Sequence, residues 1–358
     1  MLFSPRSKPL IGLDITTSSI KLIELSGSVG NCRAECYAAE PTPPNAINEK
    51  VIVDAAAVGD AIRRAVKRAN TKTREVAIGI SGDAAITKII QLPKTLGDSQ
   101  LEAQVEIQAD QYIPFPMEEV SYDFQKVGES KTDPDMLDIL LVATRTENVD
   151  QRRAAVEAAG LVPRVVDVEA FALENACQLM AHQMPDAGMG HLIAVVDFGA
   201  SNTAFSVLQD MRVVYTRDFS FGGQQLTEEI MRTYGLSLED AGRAKKEGGL
   251  PSNYAPEVLD PFIDDMTQQV SRSLQFFLAS GSNREQPDQI LICGGCANIP
   301  GVADVISSKV GIPTEIGDPL GQMKISSRAK AQGIRKDATA LLTACGLALR
   351  SFDSHANY

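Results

Sequence analysis

Two short segments of the sequence combine one carboxylate with several hydroxyl groups in a tight turn. The first is Asp14-Ile15-Thr16-Thr17-Ser18-Ser19, with Lys21 just beyond it, and the second is Asp197-Phe198-Gly199-Ala200-Ser201-Asn202-Thr203. Small residues in tight turns point backbone N–H groups at phosphate oxygens, and hydroxyls add further donors. A nearby carboxylate can hold the water shell of Mg²⁺, which accepts few protein ligands. Asp14 and Asp197 are therefore candidate magnesium ligands, and Lys21 could neutralise phosphate charge.

The two segments match each other position by position. Asp14 aligns with Asp197, Thr16 with Gly199 and Ser18 with Ser201, and an apolar strand-like run precedes each segment. One such loop alone is more typical of an ordinary hairpin, because aspartate and small residues are common in turns. The recurrence of the pattern in both halves of the chain favours a paired polyphosphate site and suggests an old duplication.

Two glycine turns could complete a nucleotide site. Phe221-Gly222-Gly223 stands at a predicted helix start, where N–H groups favour an anion. Gly294-Gly295-Cys296 opens a turn that ends at Pro300-Gly301, and its bare backbone could lie flat against an adenine. Taken alone, the second glycine pair is better explained as a plain strand-to-helix turn. The P-loop and G-x-G-x-x-G signatures are absent from the sequence.

The composition of the chain argues against some classes of binding partner and indicates the cellular compartment of the protein. The chain has 358 residues and a net charge of −12, which argues against nucleic acid as the main partner. It contains no apolar run of 18 residues, and its start resembles no secretory signal, so we expect a cytosolic protein. The tail with Arg6 and Lys8 reads as a disordered end, although it could touch an anionic surface. The six cysteines read as reduced thiols.

Hydrophobic periodicity predicts alternating strands and helices, which is typical of an α/β fold. We expect strands at 11–15, 20–25, 75–80, 86–92, 136–144, 162–168, 192–197, 203–208 and 290–295. We expect helices at 54–70, 147–159, 169–182, 224–234, 238–247, 257–280 and 337–350, with one more capped by Asp98 or Ser99 and stopped by Pro114 and Pro116.

The motifs, taken in this order, resemble those of the actin-like ATPase superfamily. Its two phosphate loops match Asp14–Lys21 and Asp197–Thr203, its E-P-x-A-A helix start matches Glu169–Leu173, and its adenosine loop matches Gly294–Gly301. Within the superfamily the chain resembles the PilM family of type IV pilus proteins. The segments that carry this likeness are 109–124, 165–176, 221–230, 270–277 and 344–352.

The resemblance implies a fold of two RNase H-like lobes around a cleft that holds ATP or ADP with Mg²⁺, with an inserted α+β subdomain in the first lobe. The implied divisions are 1–74 and 166–188 for the first lobe, 75–165 for the insert, 189–223 and 289–336 for the second lobe, 224–288 for its helical subdomain, and 337–358 for a helix returning to the first lobe.

The resemblance also implies a partner and a place in the cell. The partner is the N-terminal cytosolic tail of PilN, which docks in a groove near the insert. Through PilN the protein would join PilO and PilP at the cytoplasmic face of the inner membrane, and self-association is compatible with this family. The YIPFP run at 112–116 is equally explained as a helix stop or as part of the docking groove.

Several residues depart from the superfamily pattern. Thr16 replaces the usual glycine of the first loop, and Gly242 stands where many members use a glutamate for the ribose, whereas Lys245 remains near the expected adenine. Glu169 matches the residue that orients attacking water, but Ala170 replaces the following proline, so a capping or salt-bridging role is an equal alternative. We expect hydrolysis, if it occurs, to be slow, because the sequence shows no arginine finger.

Two other functions on the same fold stay open. A small-molecule kinase would need an aspartate base and a sugar pocket, and phosphorylation of a sugar panel would reveal it. A cell-division-type filament protein would carry a basic amphipathic tail, which the ending LALRSFDSHANY cannot form. Pelleting with ATP but without lipid would decide on filaments.

Overall fold

The computed structural model describes residues 9–353 except residues 49, 131 and 282–284. The tail with Arg6 and Lys8 and the last five residues, whose character we predicted above, lie outside the described residues. Within the described part, no helix combines the length and the hydropathy needed to cross a bilayer.

The strands of the described chain fall into three main sheets and one short hairpin. In chain order they are β1 (Ile11–Ile15), β2 (Ser19–Ser28), β3 (Asn31–Pro41), β4 (Ile47–Asn48), β5 (Val51–Ile52), β6 (Glu75–Ile80), β7 (Ala85–Pro93), β8 (Val120–Glu129), β9 (Met136–Arg145), β10 (Val162–Val168), β11 (Leu192–Phe198), β12 (Thr203–Gln209), β13 (Arg212–Phe219), β14 (Gln289–Gly294), β15 (Thr314–Ile316) and β16 (Lys324–Ile325).

The α-helices lie between these strands. They are α1 (Ala55–Ala69), α2 (Asp98–Tyr112), α3 (Thr146–Ala158), α4 (Glu169–Met180), α5 (Gly223–Tyr234), α6 (Leu238–Glu247), α7 (Asp260–Ala279), α8 (Val302–Val310), α9 (Ser327–Ala331) and α10 (Leu342–Leu349). Short 3₁₀ turns precede α10, so that helix begins later than the predicted residue 337. The other predicted helices and strands occur within a few residues of their expected bounds.

The first lobe is built on a six-stranded sheet in the order β10-β6-β1-β2-β3-β16. Its central strand, β1, pairs antiparallel with β2 and parallel with β6, and it carries apolar side chains on both faces. Helices α1 and α3 bury one face of the sheet and α10 buries the other, which is why β1 reads as a continuous apolar run.

The second lobe repeats the same opening. Its sheet has the order β13-β12-β11-β14-β15, and the central strand β11 pairs antiparallel with β12 and parallel with β14. In register, Asp14 stands opposite Lys21 on β2, whereas Asp197 stands opposite Ala204 on β12. The two hairpins recognised in the sequence are therefore structural equivalents, and only the first carries a lysine across from its aspartate.

The sheet topology favours narrower bounds for the inserted subdomain than the predicted 75–165. Strands β6 and β10 belong to the six-stranded sheet, and α3 packs on α1 in the first-lobe core. The remaining three-stranded sheet, β7-β9-β8, packs against α2 as a separate core, so we propose bounds near 81–145. The N-cap of α2 is Gly97 rather than Asp98 or Ser99, because Gln100 Oε1 accepts from Gly97 N at 3.2 Å.

Helix α10 packs against its neighbours through backbone contacts. A Cβ added at Gly346 would stand 1.7 Å from the carbonyl oxygen of Ala172 on α4. A Cβ added at Gly12 on β1 would stand 2.0 Å from the carbonyl oxygen of Ala344 on α10. These two glycines let α10 lie directly against a strand on one side and a helix on the other.

We predict that Gly346→Ala destabilises the protein by at least roughly 2 kcal/mol, since the methyl group has no room without moving α4. The matched control is Gly242→Ala inside α6, where an added Cβ meets no atom within 4 Å. That control should gain about 0.5–1 kcal/mol from better helix propensity. Urea unfolding of both variants measures the difference, and equal stabilities would contradict the packing described here.

Candidate functional site

The tips of the two equivalent hairpins touch each other. The hydroxyls of Thr17 and Ser201 share a hydrogen bond of 2.8 Å, although 184 residues separate them in the chain. Each tip is closed by the same bond: Thr16 N donates to Ser19 O, and Gly199 N donates to Asn202 O, both at 3.0 Å. The predicted meeting of the two loops is therefore present in the structure.

Thr16 fits the position where the superfamily has glycine. Its hydroxyl donates to Ser19 O at 2.9 Å and accepts from Ser19 N at 3.2 Å, so the side chain helps to close the turn. Its backbone also accepts from the Thr42 hydroxyl at 2.7 Å, which anchors the turn to the end of β3. The threonine is thus a structural part of the tip, and its hydroxyl is already engaged.

The ammonium group of Lys21 interacts electrostatically with one aspartate from each lobe. Lys21 Nζ lies 2.9 Å from Asp14 Oδ2, and Asp14 is only 6% exposed. Burial alone would lower the pKa of Lys21, but Asp14 and then Asp197 raise it above the usual value. Burial raises the pKa of Asp197 to about 6, although Lys21 attracts that carboxylate. Asp14 and Asp197 therefore act on the same ammonium group across the two lobes.

Glu169 is the first residue of α4 and lies against β6. A Cβ added at Gly79 would stand 3.0 Å from Glu169 Cγ, so the glycine makes room for this side chain. Burial, followed by repulsion from Asp14, raises the pKa of Glu169 to about 7. A carboxylate with a pKa near neutrality can exchange a proton with a reacting water, which suits the predicted water-orienting role.

Arg152 is a functional candidate that the sequence did not reveal. It comes from α3 and is 5% exposed, and its Nε donates to Gly79 O at 2.7 Å. Burial lowers the pKa of Arg152, while the charges of Glu169 and Asp14 act in the opposite direction. Its position behind Glu169 arises from a long-range contact between α3 and β6, and no local pattern signals it.

Lys50 is a second cation that the sequence did not single out. Its Nζ lies 2.6 Å from Asp218 Oδ2 on β13 and 3.0 Å from Asp83 Oδ2, and it donates to Ser81 Oγ at 2.9 Å. The ammonium group therefore joins the first lobe and the start of the insert to the edge strand of the second lobe. A single lysine in a polar turn carries no signature of such a role.

The glycines at the start of α5 pack on the second hairpin. Gly223 N donates to Gly199 O at 3.0 Å, and Gln224 N donates to Ala200 O at 2.8 Å. The amide of Gly223, part of the predicted anion site, is therefore engaged by the second hairpin, as is the amide of Gln224 next to it. A Cβ at Gly222 would stand 2.4 Å from Ala200 O, so the close approach requires glycine there.

The predicted adenosine loop lies beside Asp197. Gly294 has a φ of 85°, and a Cβ there would stand 2.6 Å from Asp197 Oδ1. A Cβ added at Gly295 would meet no atom within 4 Å. An adenine ring stacked on the backbone would require such open space. Cys296 is buried between Lys245 and the second hairpin, and burial raises the pKa of its thiol to about 11.

Lys245 crosses from α6 to the start of α5. Its Nζ donates to Gly223 O at 2.7 Å and to the Thr227 hydroxyl at 2.6 Å, and burial lowers its pKa. One turn earlier on α6, a Cβ added at Gly242 would meet no atom within 4 Å. No side chain therefore occupies the position where the superfamily pattern has a glutamate. Lys245, Gly223 and Cys296 thus lie together beside the second hairpin, whose tip is hydrogen-bonded to the first through Ser201 and Thr17.

A family model described as type IV pilus assembly protein PilM matches residues 12–352. The chain belongs to the PilM family. The structure is similar to that of a solved PilM-PilN type IV pilus biogenesis complex, with 28% identity and a TM-score of 0.78 over 97% of this chain and 99% of the solved one. The family predicted from the motifs is therefore confirmed.

More distant relatives share the actin-like ATPase fold. The ethanolamine utilization protein EutJ from Carboxydothermus hydrogenoformans is 17% identical, with a TM-score of 0.56 over 97% of this chain and 90% of EutJ. The cell division protein FtsA of Enterococcus hirae is 24% identical over 369 residues, which cover 86% of this chain and 79% of FtsA. The predicted fold class is confirmed.

A metal ion in this PilM family member would depend on water and phosphate for most of its ligands. The described residues contain no group of three or more His, Cys, Asp or Glu side chains arranged to hold an ion. Asp14, which is already paired with Lys21, and Asp197 would hold Mg²⁺ through its water shell, and the ion would supply positive charge to a phosphate group. The donor set therefore fits the predicted Mg²⁺ only as part of a metal–nucleotide complex.

We predict that Glu169→Gln makes the unliganded protein more stable at pH 8. The pKa of this carboxyl rises from 4.5 to about 7 on folding, so the folded state holds the proton over that window and stability falls as the pH rises through it. Glutamine is neutral at both pH values and avoids the free-energy cost of a buried, ionised carboxylate. We expect it to raise the free energy of unfolding by roughly 1–3 kcal/mol at pH 8 and by little at pH 4.5. Urea unfolding at the two pH values measures the difference.

A matched control is Glu174→Gln on the same helix. Glu174 accepts from Arg212 at 2.7 Å and from Val213 N at 2.8 Å, so its loss of charge should destabilise the protein at pH 8. A gain of similar size in both variants would contradict the assignment to Glu169.

Proposed function

We propose that this PilM family member is an ATP-binding scaffold of the type IV pilus machinery, which clasps Mg-ATP or Mg-ADP between its two hairpins. The observation that carries the proposal is the hydrogen bond between Thr17 and Ser201, next to the ion pair of Lys21 with Asp14. Hydroxyls and amides of both tips supply donors for phosphate oxygens, and closure of the lobes brings the two sets of donors together.

The charges of the cleft support a requirement for the metal. Asp14, Asp197 and Glu169 are three carboxylates in one region: after burial, repulsion from Asp14 helps to raise the pKa of Glu169 and of Asp197. A bare triphosphate would add several negative charges to this group and would be repelled. A complex with Mg²⁺ carries less charge and offers water molecules to the carboxylates, which explains how an acidic cleft could hold a polyphosphate.

Glu169 supports slow hydrolysis rather than fast turnover. With a pKa of about 7 it would carry its proton in about half of the molecules at neutral pH, so only part of the population could accept a proton from water. Arg152 lies behind this carboxylate and is held by Gly79 O, which limits its reach toward a transferring phosphate. We therefore propose that nucleotide binding, more than turnover, controls the protein.

The adenosine would lie against the loop Gly294–Cys296. Gly295 leaves room for a flat base, and Lys245 fixes the adjacent start of α5. Because Gly242 offers no side-chain acceptor for the ribose hydroxyls, the sugar would be bound less tightly than in relatives with a glutamate at that position.

The insert would carry the partner site. The similar solved structure is a PilM-PilN complex, and this likeness supports the N-terminal cytosolic tail of PilN as the partner here. A cavity of about 390 Å³ lies where the insert meets α3, and it is lined by Glu119, Arg145, Thr146, Glu147, Asp150 and Gln151. In the YIPFP run, Ile113 and Phe115 pack into the core of the insert, which supports its role as a helix stop.

Binding to PilN would place the protein at the cytoplasmic face of the inner membrane, and PilO and PilP would be linked to it through PilN. Nucleotide can drive a change in the groove only if it binds the two lobe arrangements with different affinities. We propose such a coupling, because the insert follows β6 and leads directly into α3, the two first-lobe elements that carry Gly79 and Arg152 beside Glu169. Self-association of the protein is a further part of this proposal.

We predict that saturating Mg-ATP, at about 100 times Kd, raises the stability of the protein by ~2.7 kcal/mol. Asp197→Asn should abolish this gain, because it removes a carboxylate that would hold the water shell of Mg²⁺. Asp14→Ala should do the same and should also destabilise the unliganded protein, since Lys21 would be left buried without its partner. Thermal unfolding with and without EDTA is the measurement.

The exposed Asp60, which pairs with Arg63 on α1, provides the control. Asp60→Asn should retain the full gain. An equal gain in Asp197→Asn, or a gain with ATP that persists in EDTA, would contradict the site.

We predict that Arg145→Glu weakens binding of a PilN tail peptide, because Arg145 lines the cavity and its guanidinium stacks 4.7 Å from the Phe115 ring centroid. The control is Arg153→Glu on α3, an exposed arginine that pairs with Glu157. Calorimetric titration with and without Mg-ATP measures both the groove and the coupling. Equal loss in the two variants would exclude this groove, and a peptide affinity that ignores Mg-ATP would exclude the coupling.

A further inference from the structure

The ammonium group of Lys50 bridges the two lobes at the mouth of the cleft. On one side it contacts Ser81 and Asp83, which lie between β6 and the first strand of the insert. On the other side it contacts Asp218 at 2.6 Å, on the edge strand of the second lobe. It is one cation between two carboxylates that belong to different lobes, so a new anion nearby would compete for it.

The same ammonium group reaches the second hairpin. When the Asn202 amide is oriented to satisfy its hydrogen-bonding partners, its oxygen accepts from Lys50 Nζ at 3.0 Å. The charge of Lys50 also acts on Glu169, the residue proposed to orient water at the terminal phosphate. Lys50 therefore lies at the end of the cleft where the last phosphate of a nucleotide would be placed.

The backbone holds Lys50 in this position. Its φ is 69°, in the left-handed region that non-glycine residues rarely adopt, and its carbonyl accepts from Arg152 Nη2 at 3.3 Å. Arg152 is also bound to Gly79 O beside Glu169. Surrounding structure thus fixes the base of the side chain, while its end is free to exchange one oxygen partner for another.

We propose that Lys50 makes the site discriminate ATP from ADP, by exchanging Asp218 for the terminal phosphate of ATP. The proposal rests on the proposed nucleotide function. With ADP the ammonium group keeps its pair with Asp218, and the link between the lobes is unchanged. With ATP the γ-phosphate, which carries more charge than a carboxylate, draws Lys50 from Asp218 and separates the start of the insert from β13.

The two partners of the pair give opposite expectations. Lys50→Ala removes the contact with the γ-phosphate and should weaken ATP binding by roughly tenfold, with ADP binding changed by less than about twofold. Asp218→Asn removes the competitor and should tighten ATP binding by roughly threefold. Lys50→Arg retains the charge and should recover most of the ATP affinity.

The experiment titrates Mg-ATP and Mg-ADP into the full chain by calorimetry, at one salt concentration, after thermal unfolding has confirmed that each variant is folded. The control is Lys94→Ala, an exposed lysine of the insert that pairs with Asp135 at 3.8 Å, and its two affinities should equal those of the unmodified protein. Opposite changes in ATP affinity for Lys50→Ala and Asp218→Asn would support the proposal.

Equal losses of ATP and ADP affinity in both variants would show that the pair only holds the lobes together, and this would overturn the discrimination by Lys50 while leaving nucleotide binding intact. The same conclusion would follow if the ratio of the two affinities did not change. If the unmodified chain bound neither nucleotide, the proposed function itself would fail, and the role of Lys50 with it.

Discussion

The buried ammonium group of Lys21 is the interaction on which the arrangement of the two lobes depends. It forms an ion pair with Asp14 at 2.9 Å, and it also attracts the carboxylate of Asp197 from the equivalent hairpin. Each aspartate would be costly to bury without a counter-charge. The second hairpin has Ala204 at the position opposite its aspartate, so it contains no lysine of its own there. The aspartate of the second lobe is therefore balanced in part by a lysine of the first, in the same region where the two tips are hydrogen-bonded to each other.

Local sequence patterns were sufficient to predict most of the fold around this interaction. The runs IGLDI and LIAVVD are apolar on both faces because their strands are central and covered, and a small polar turn after each one is unmistakable. The family motifs fixed the order of the lobes. The two hairpins that carry Asp14, Lys21 and Asp197 could accordingly be predicted from the sequence alone.

The residues that the sequence did not reveal are those placed by distant contacts. Arg152 and Lys50 occupy ordinary polar surroundings in the chain, and only the packing of α3 on β6 and of β13 on the insert brings them to the cleft. Strands β8 and β13 also escaped detection, because each is an edge strand with mostly exposed side chains and little apolar alternation. The bounds that we propose for the insert are narrower than those predicted for a related reason, because the periodicity of a strand does not indicate which sheet the strand joins.

The bare contact between Gly346 and the main chain of α4 limits how the lobes can move. Sliding of packed helices requires side chains that change rotamer, and at this point two backbones touch without any side chain between them. Apolar side chains of α4 also pack against the sheet of the second lobe, so this helix contacts the cores of both lobes. Opening should consequently be a pivot about the axis of α4 and α10, with the largest displacement at the far rim and almost none at their crossing.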